Sequence, residues 1–185
     1  MTMATAGDAT GVNGMSELTL FAYARTICRI LDERRSVEPL ARRAFDELLA
    51  LAVRKVDEIA PLNVSCLAFA RAEALKVGDL RNRCWFCREM KKEGREKGPH
   101  DFHWEHLVPA ADLRKEIEQL SESTPEAVAQ ILSRSKIVWV LAEEDDKLPH
   151  FRRIEPERLY REAGIELKYP WAECARRPCS RHVSG

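Results

Sequence analysis

The sequence predicts an α+β protein, mostly helical, with an N-terminal helical unit over residues 16–80 followed by a smaller mixed domain over 81–185. Three observations carry that expectation. Apolar residues recur at helical spacing through three successive segments before residue 80. One β-branched run, Ile137-Val138-Trp139-Val140-Leu141, reads as a strand. Cysteines and histidines crowd into residues 84–109, and cysteines return near the C-terminus. A chain of 185 residues can bury one sizeable core and a small second unit.

The elements follow in order. Residues 1–15 are small and polar, with Gly7, Gly11 and Gly14, and read as a disordered tail. Ser16 is placed to cap a helix to about Arg34, with Leu20, Ala24, Ile27, Cys28 and Leu31 on its apolar stripe. A second helix is expected from about Val37 to Ala60. Pro39 lies in its first turn, and Leu40, Ala44, Leu48, Leu51, Ala52, Val56 and Ile59 form its expected buried face. Pro61 ends it. A third helix is expected from Val64 to Val77, with Gly78 as the residue beyond its cap. These helices carry no catalytic signature and read as a packing or homodimerisation bundle.

After Gly98-Pro99, a short strand is expected through Phe102, Trp104, Leu107 and Val108, closed by Pro109. A helix over Ala111–Gln119 and another opened by Ser123-Thr124-Pro125-Glu126 precede the strand at Ile137–Leu141. Glu143-Glu144-Asp145-Asp146 follows directly. Glu155 to Ala163 reads as helix, with Gly164 as its stop.

Composition limits the function classes. Thirty basic residues balance thirty acidic ones, so binding of a polyanion by bulk charge is excluded and a local basic face is not. The charge is segregated: residues 101–146 hold eleven Asp/Glu against four Lys/Arg, an acidic centre between basic flanks. No apolar run is long enough to span a bilayer, and the first residues lack the basic and apolar regions of a secretory signal. The six cysteines are therefore expected in a reducing cytoplasm, where paired cysteines are more often metal ligands than disulfides.

Cys84-Trp85-Phe86-Cys87 has the spacing of a zinc knuckle, in which two thiolates reach one ion. Reading on to His100 and His106 matches a two-Cys two-His finger. That match is rejected, because Gly94, Gly98 and Pro99 stand where its helix should start. The favoured structural zinc site joins Cys84 and Cys87 to Cys174 and Cys179, with His182 as a competing ligand. Closing so long a loop would stabilise a small domain.

Glu105-His106-Leu107-Val108-Pro109, downstream of a Cys-x-x-Cys, resembles the corresponding segment of HNH endonucleases, the ββα-metal nucleases. The stretch through Tyr160-Arg161-Glu162-Ala163-Gly164-Ile165 is also similar to small phage- and plasmid-borne proteins. The resemblance implies a zinc-stapled ββα-metal domain that cleaves nucleic acid, DNA in the first instance, with Mg²⁺ or Mn²⁺. It implies His106 as general base and Glu105 as a ligand of the divalent ion. The family pattern then expects an Asn after the second strand. This chain has no Asn after His106. Asp145 stands nearest that place as the substitute carboxylate, and His150 as the last metal ligand. His100 and His103 read as surface or supporting groups.

Two further readings remain open. The fold could serve as a non-catalytic zinc-stapled module that binds nucleic acid or protein, or as a helical adaptor with unrelated cysteines. The nuclease reading requires Glu105, His106 and Asp145 or His150 to converge.

Overall fold

In a computed structural model, the protein is described over residues 17–83, 102–149 and 155–174. The chain is α+β and mostly helical. Its elements are α1 (Glu17–Ser36), α2 (Pro39–Lys55), β1 (Leu62–Val64), α3 (Cys66–Ala74), β2 (Phe102–His106), α4 (Ala110–Glu118), α5 (Pro125–Leu132), β3 (Ile137–Leu141), a single turn α6 (Ala142–Asp145) and α7 (Pro156–Glu162). Short 3₁₀ turns lie at Val56–Glu58, Leu80–Asn82 and Trp171–Glu173.

The three strands form one sheet in the order β1-β3-β2. β3 is its centre, buried at every position. That explains its unbroken apolar run: a strand covered on both faces needs no polar alternation. β2 runs antiparallel to β3, with Phe102 opposite Leu141, Trp104 opposite Trp139 and His106 opposite Ile137. Trp104 and Trp139 meet edge to face, with ring centroids 4.8 Å apart.

β1 runs parallel to β3 and ends at Val64, where the expected third helix was to begin; the strand itself was not expected. Two local causes explain the difference. Leu62, Asn63 and Val64 are all buried, which a strand two-sided in the core requires. Ser65 then starts α3 as its N-cap, its hydroxyl accepting the Ala68 N–H. The outer edge of β1 is covered by the C-terminal segment. Lys168 N–H donates to Val64 O, Leu62 N–H to Cys174 O, and the buried Asn63 amide to Tyr169 O. An exposed edge is thereby avoided.

One apolar cluster fills the sheet face that carries Leu62, Val64, Ile137, Trp139 and Leu141, together with residues of α1 through α5. The core therefore continues across the expected 16–80 and 81–185 division. Val138 and Val140 face the other way, into a smaller cluster with Leu107, Leu148, Tyr160 and Ile165.

α2 corrects part of a second expectation. Of its expected buried face, Ala52, Val56 and Ile59 do pack into the core, whereas Leu40, Ala44, Leu48 and Leu51 lie outside. Leu49 and Val53 are buried, with Phe45 and Ala52 packed against the core. Leu40 is 95% exposed, Leu48 46% and Leu51 54%. α3 also ends earlier than expected. Lys76, not Gly78, takes the left-handed conformation beyond its cap, with φ 55°. No helix is long and apolar enough to cross a membrane among the described residues.

Candidate metal centre

Successive residues of a strand point to opposite faces. His103 and Glu105 therefore share one face of β2, opposite Val140 and Val138. His106 belongs to the other face, with Phe102 and Trp104. The turn α6 follows β3 directly and carries Asp145 over the His103–Glu105 face. His103 Nε2 lies 3.4 Å from Glu105 Oε2 and 3.6 Å from Asp145 Oδ2. The three side chains each offer a ligand atom within 4.8 Å of the others. Among the described residues this is one group of three metal-capable side chains.

The two carboxylates are largely buried, while the His103 side chain is 42% exposed. The two carboxylates are donors of the kind that suit Mg²⁺ or Mn²⁺, and the imidazole is one that suits softer ions such as Zn²⁺.

The position of Asp145 is set by its neighbour. Glu144 is buried, and its carboxylate accepts the Leu141 N–H at 2.9 Å and the Ser65 hydroxyl. Ser65 is also the N-cap of α3, so one hydroxyl fixes both α3 and the turn that presents Asp145. Of the acidic run Glu143–Asp146, one carboxylate anchors the turn and the next faces the site.

His106 is placed elsewhere. Its Nε2 lies 2.6 Å from Asp57 Oδ2, in the 3₁₀ turn after α2. The Ser135 hydroxyl is 3.5 Å from the other oxygen of Asp57. The expected convergence is therefore partial: Glu105 and Asp145 come together, and His106 lies across the strand from them. His103 takes the imidazole position on the carboxylate face. Its signal in the sequence was the i, i+2 spacing to Glu105, which on a strand means a shared face.

Cys174 is fully buried, and its thiol donates to the Pro170 carbonyl at 3.3 Å. Burial pushes that thiol up to about 11, against the pull of the nearby Arg81 guanidinium. Cys28 is a buried core thiol, as its helical stripe suggested, and Cys66 is half-buried. Cys84, Cys87, Cys179, His182, His100 and His150 lie outside the described residues. No family model, curated protein or solved structure matches the chain.

Proposed function

We propose that the chain is a metal-dependent nucleic-acid endonuclease whose catalytic ion is held by Glu105 and Asp145, with His103 beside them. His106, which the motif requires at the site, is engaged with Asp57 on the other face of β2, so the reading rests instead on the convergence of His103, Glu105 and Asp145 from β2 and α6. When bound, a divalent ion supplies a Lewis acid for the scissile phosphate and its leaving oxygen. His103 is the imidazole on this face, and its exposed ring can accept a proton from an attacking water. Glu105 and Asp145 hold fixed negative charge, and Glu144 with Ser65 keeps Asp145 in register. In this reading His106 supports the strand from the opposite face rather than meeting the reacting water.

A structural zinc clip of Cys84, Cys87, Cys174 and Cys179 belongs to the same proposal, with His182 the alternative ligand. Its support is proximity. The turn Leu80–Asn82 packs against β1, Cys174 accepts a hydrogen bond from Leu62 of β1, and Arg81 lies close enough to influence the Cys174 thiol. Cys84 follows two residues after Asn82. A reducing cytoplasm is the compartment in which such a clip would form.

Plasmid cleavage in Mg²⁺ or Mn²⁺ tests the nuclease reading. Cleavage should vanish in Glu105→Ala and His103→Ala and persist in His106→Ala. Full activity in His103→Ala with Glu105→Ala would overturn it. A second reading is a non-catalytic module that binds nucleic acid or protein. The His106–Asp57 pair favours it, because the motif histidine is engaged in a bridge between elements. Mn²⁺ binding without cleavage, together with salt-sensitive DNA retardation, would decide for this reading.

A further inference from the structure

The exposed stripe of α2 is a second feature, one that no described residue covers. Leu40, Ala44, Leu48 and Leu51 recur at four- and three-residue spacing and so share one side of the helix. All four are exposed, Leu40 almost completely. The opposite side of α2 is already used, through Leu49 and Val53, against the core. Exposed leucines scattered singly need no explanation, but a contiguous row along a helix marks a contact surface.

We propose that this stripe pairs with the same stripe of a second copy of the chain, the two α2 helices running antiparallel about a two-fold axis near residues 45–46. Three features of α2 make it complementary to itself in that arrangement. Leu40 falls opposite Leu51 of the other copy, so both ends of the stripe close with leucine on leucine. Ala44 falls opposite Leu48, a small residue facing a large one, which lets the helices approach. The third feature is charge. Arg43 and Glu47 lie on one flank of the stripe, paired with each other across one turn at 3.3 Å and both highly exposed. In an antiparallel helix pair like flanks face each other, so Arg43 of one copy meets Glu47 of the other, twice by symmetry. A parallel alignment would instead turn this flank toward the opposite flank of the other helix, so that Arg43 and Glu47 of the two copies would not meet. The apolar strip is about four residues on each side, below the area of a standard stable interface, so a weak, concentration-dependent dimer is expected.

Sedimentation of the full chain across the micromolar range tests the proposal. The expected result is a reversible monomer–dimer equilibrium. Leu48→Glu together with Leu51→Glu, both at exposed positions, should leave the circular dichroism spectrum unchanged and weaken the dimer at least about tenfold. Arg43→Glu alone and Glu47→Arg alone should each be monomeric. An equimolar mixture of those two variants should form a heterodimer, because each then carries a single sign of charge facing the other. A wild-type chain that stays monomeric throughout the range overturns the proposal, as does a dimer indifferent to these substitutions. This inference is independent of the metal centre, and its failure would leave that reading untouched.

Discussion

His106 Nε2 lies 2.6 Å from Asp57 Oδ2, so the last residue of β2 is tied to the turn that leaves α2. Asp57 is buried, and a buried carboxylate needs a donor. Its two oxygens are served by His106 and, at 3.5 Å, by Ser135. The pair links the helical part of the chain to the edge strand of the sheet. Removing His106 leaves the largely buried Asp57 carboxylate with the Ser135 hydroxyl, at 3.5 Å, as its donor.

The first prediction follows from that link. His106→Ala should destabilise the fold by about 1–3 kcal/mol, the usual cost of removing a donor from a buried carboxylate, and Asp57→Ala by less, because the imidazole it leaves is partly exposed. Urea denaturation measures the loss. Mn²⁺ affinity should be unchanged in both, because the pair and the carboxylate group occupy opposite faces of β2. A loss of Mn²⁺ binding equal to that of Glu105→Ala would refute the separation of faces.

Ion binding at the proposed metal centre should depend on a residue placed outside its donor set. Ser65 donates to Glu144, which holds the turn carrying Asp145. Ser65→Ala removes both that hydrogen bond and the N-cap of α3, and should cost about 1–2 kcal/mol of stability. It should also weaken Mn²⁺ binding by roughly tenfold, in the range known for residues that orient ligands. Isothermal titration of Mn²⁺ into each variant separates this effect from stability. Ser65→Thr, which keeps the hydroxyl, should recover most of the affinity. Because a ligand must lose its proton before it binds, affinity should also fall on acidification.

How much of this was legible before the structure depends on how local each signal was. The strand at Ile137–Leu141, the capped helix at Thr124–Pro125 and the stop at Gly164 were all marked by the residues that form them. β1 was not, because three residues have no period of their own and their strand character comes from β3. The inward stripe of α2 was equally ambiguous. The helix has apolar residues on two sides, and only its packing against α1 and α4 chooses between them. The partners of Glu105 could be found in part: Asp145 through the acidic run after β3, His103 only through strand alternation. The Asp57–His106 pair spans 49 positions, and nothing in either local sequence announces it.

Cys174 gives a prediction with a defined pH window. In the metal-free chain its thiol is raised from 9.0 to about 11 by burial, so the folded state favours the protonated form, whereas the proposed zinc clip would hold it as the thiolate. The unfolded chain loses that proton first as pH rises. The stabilising contribution is therefore complete below pH 9 and declines as pH rises toward 11. The decline should amount to about 2 kcal/mol, a shift of roughly two pKa units converted at 1.36 kcal/mol each and reduced for denatured-state structure. In Cys174→Ala the alkaline slope should flatten, although the baseline is lower. Alkylation separates a core thiol from a zinc thiolate. If the thiol is simply buried, Cys174 stays unlabelled in native protein with or without a chelator. Rapid labelling once a chelator is added shows that an ion had been holding it.

Lys76 offers a stabilising substitution. It occupies the position beyond the cap of α3, with Val77 N–H donating to Ala72 O and Lys76 N–H to Glu73 O. α7 ends with the same two bonds, Ile165 N–H to Tyr160 O and Gly164 N–H to Arg161 O. The motif requires a left-handed residue at its turn, and α7 supplies Gly164 at φ 70° whereas α3 supplies Lys76 at φ 55°. A side chain with Cβ is strained there by about 1–2 kcal/mol. Lys76→Gly removes that strain but gives the unfolded chain more freedom, so the net gain should be about 0.5–1 kcal/mol. Gly164→Ala should lose stability by a similar amount, although open space surrounds the position that its Cβ would take. Thermal unfolding of the two variants should therefore move in opposite directions. A loss of stability in Lys76→Gly would mean that the lysine side chain contributes more than its backbone conformation costs.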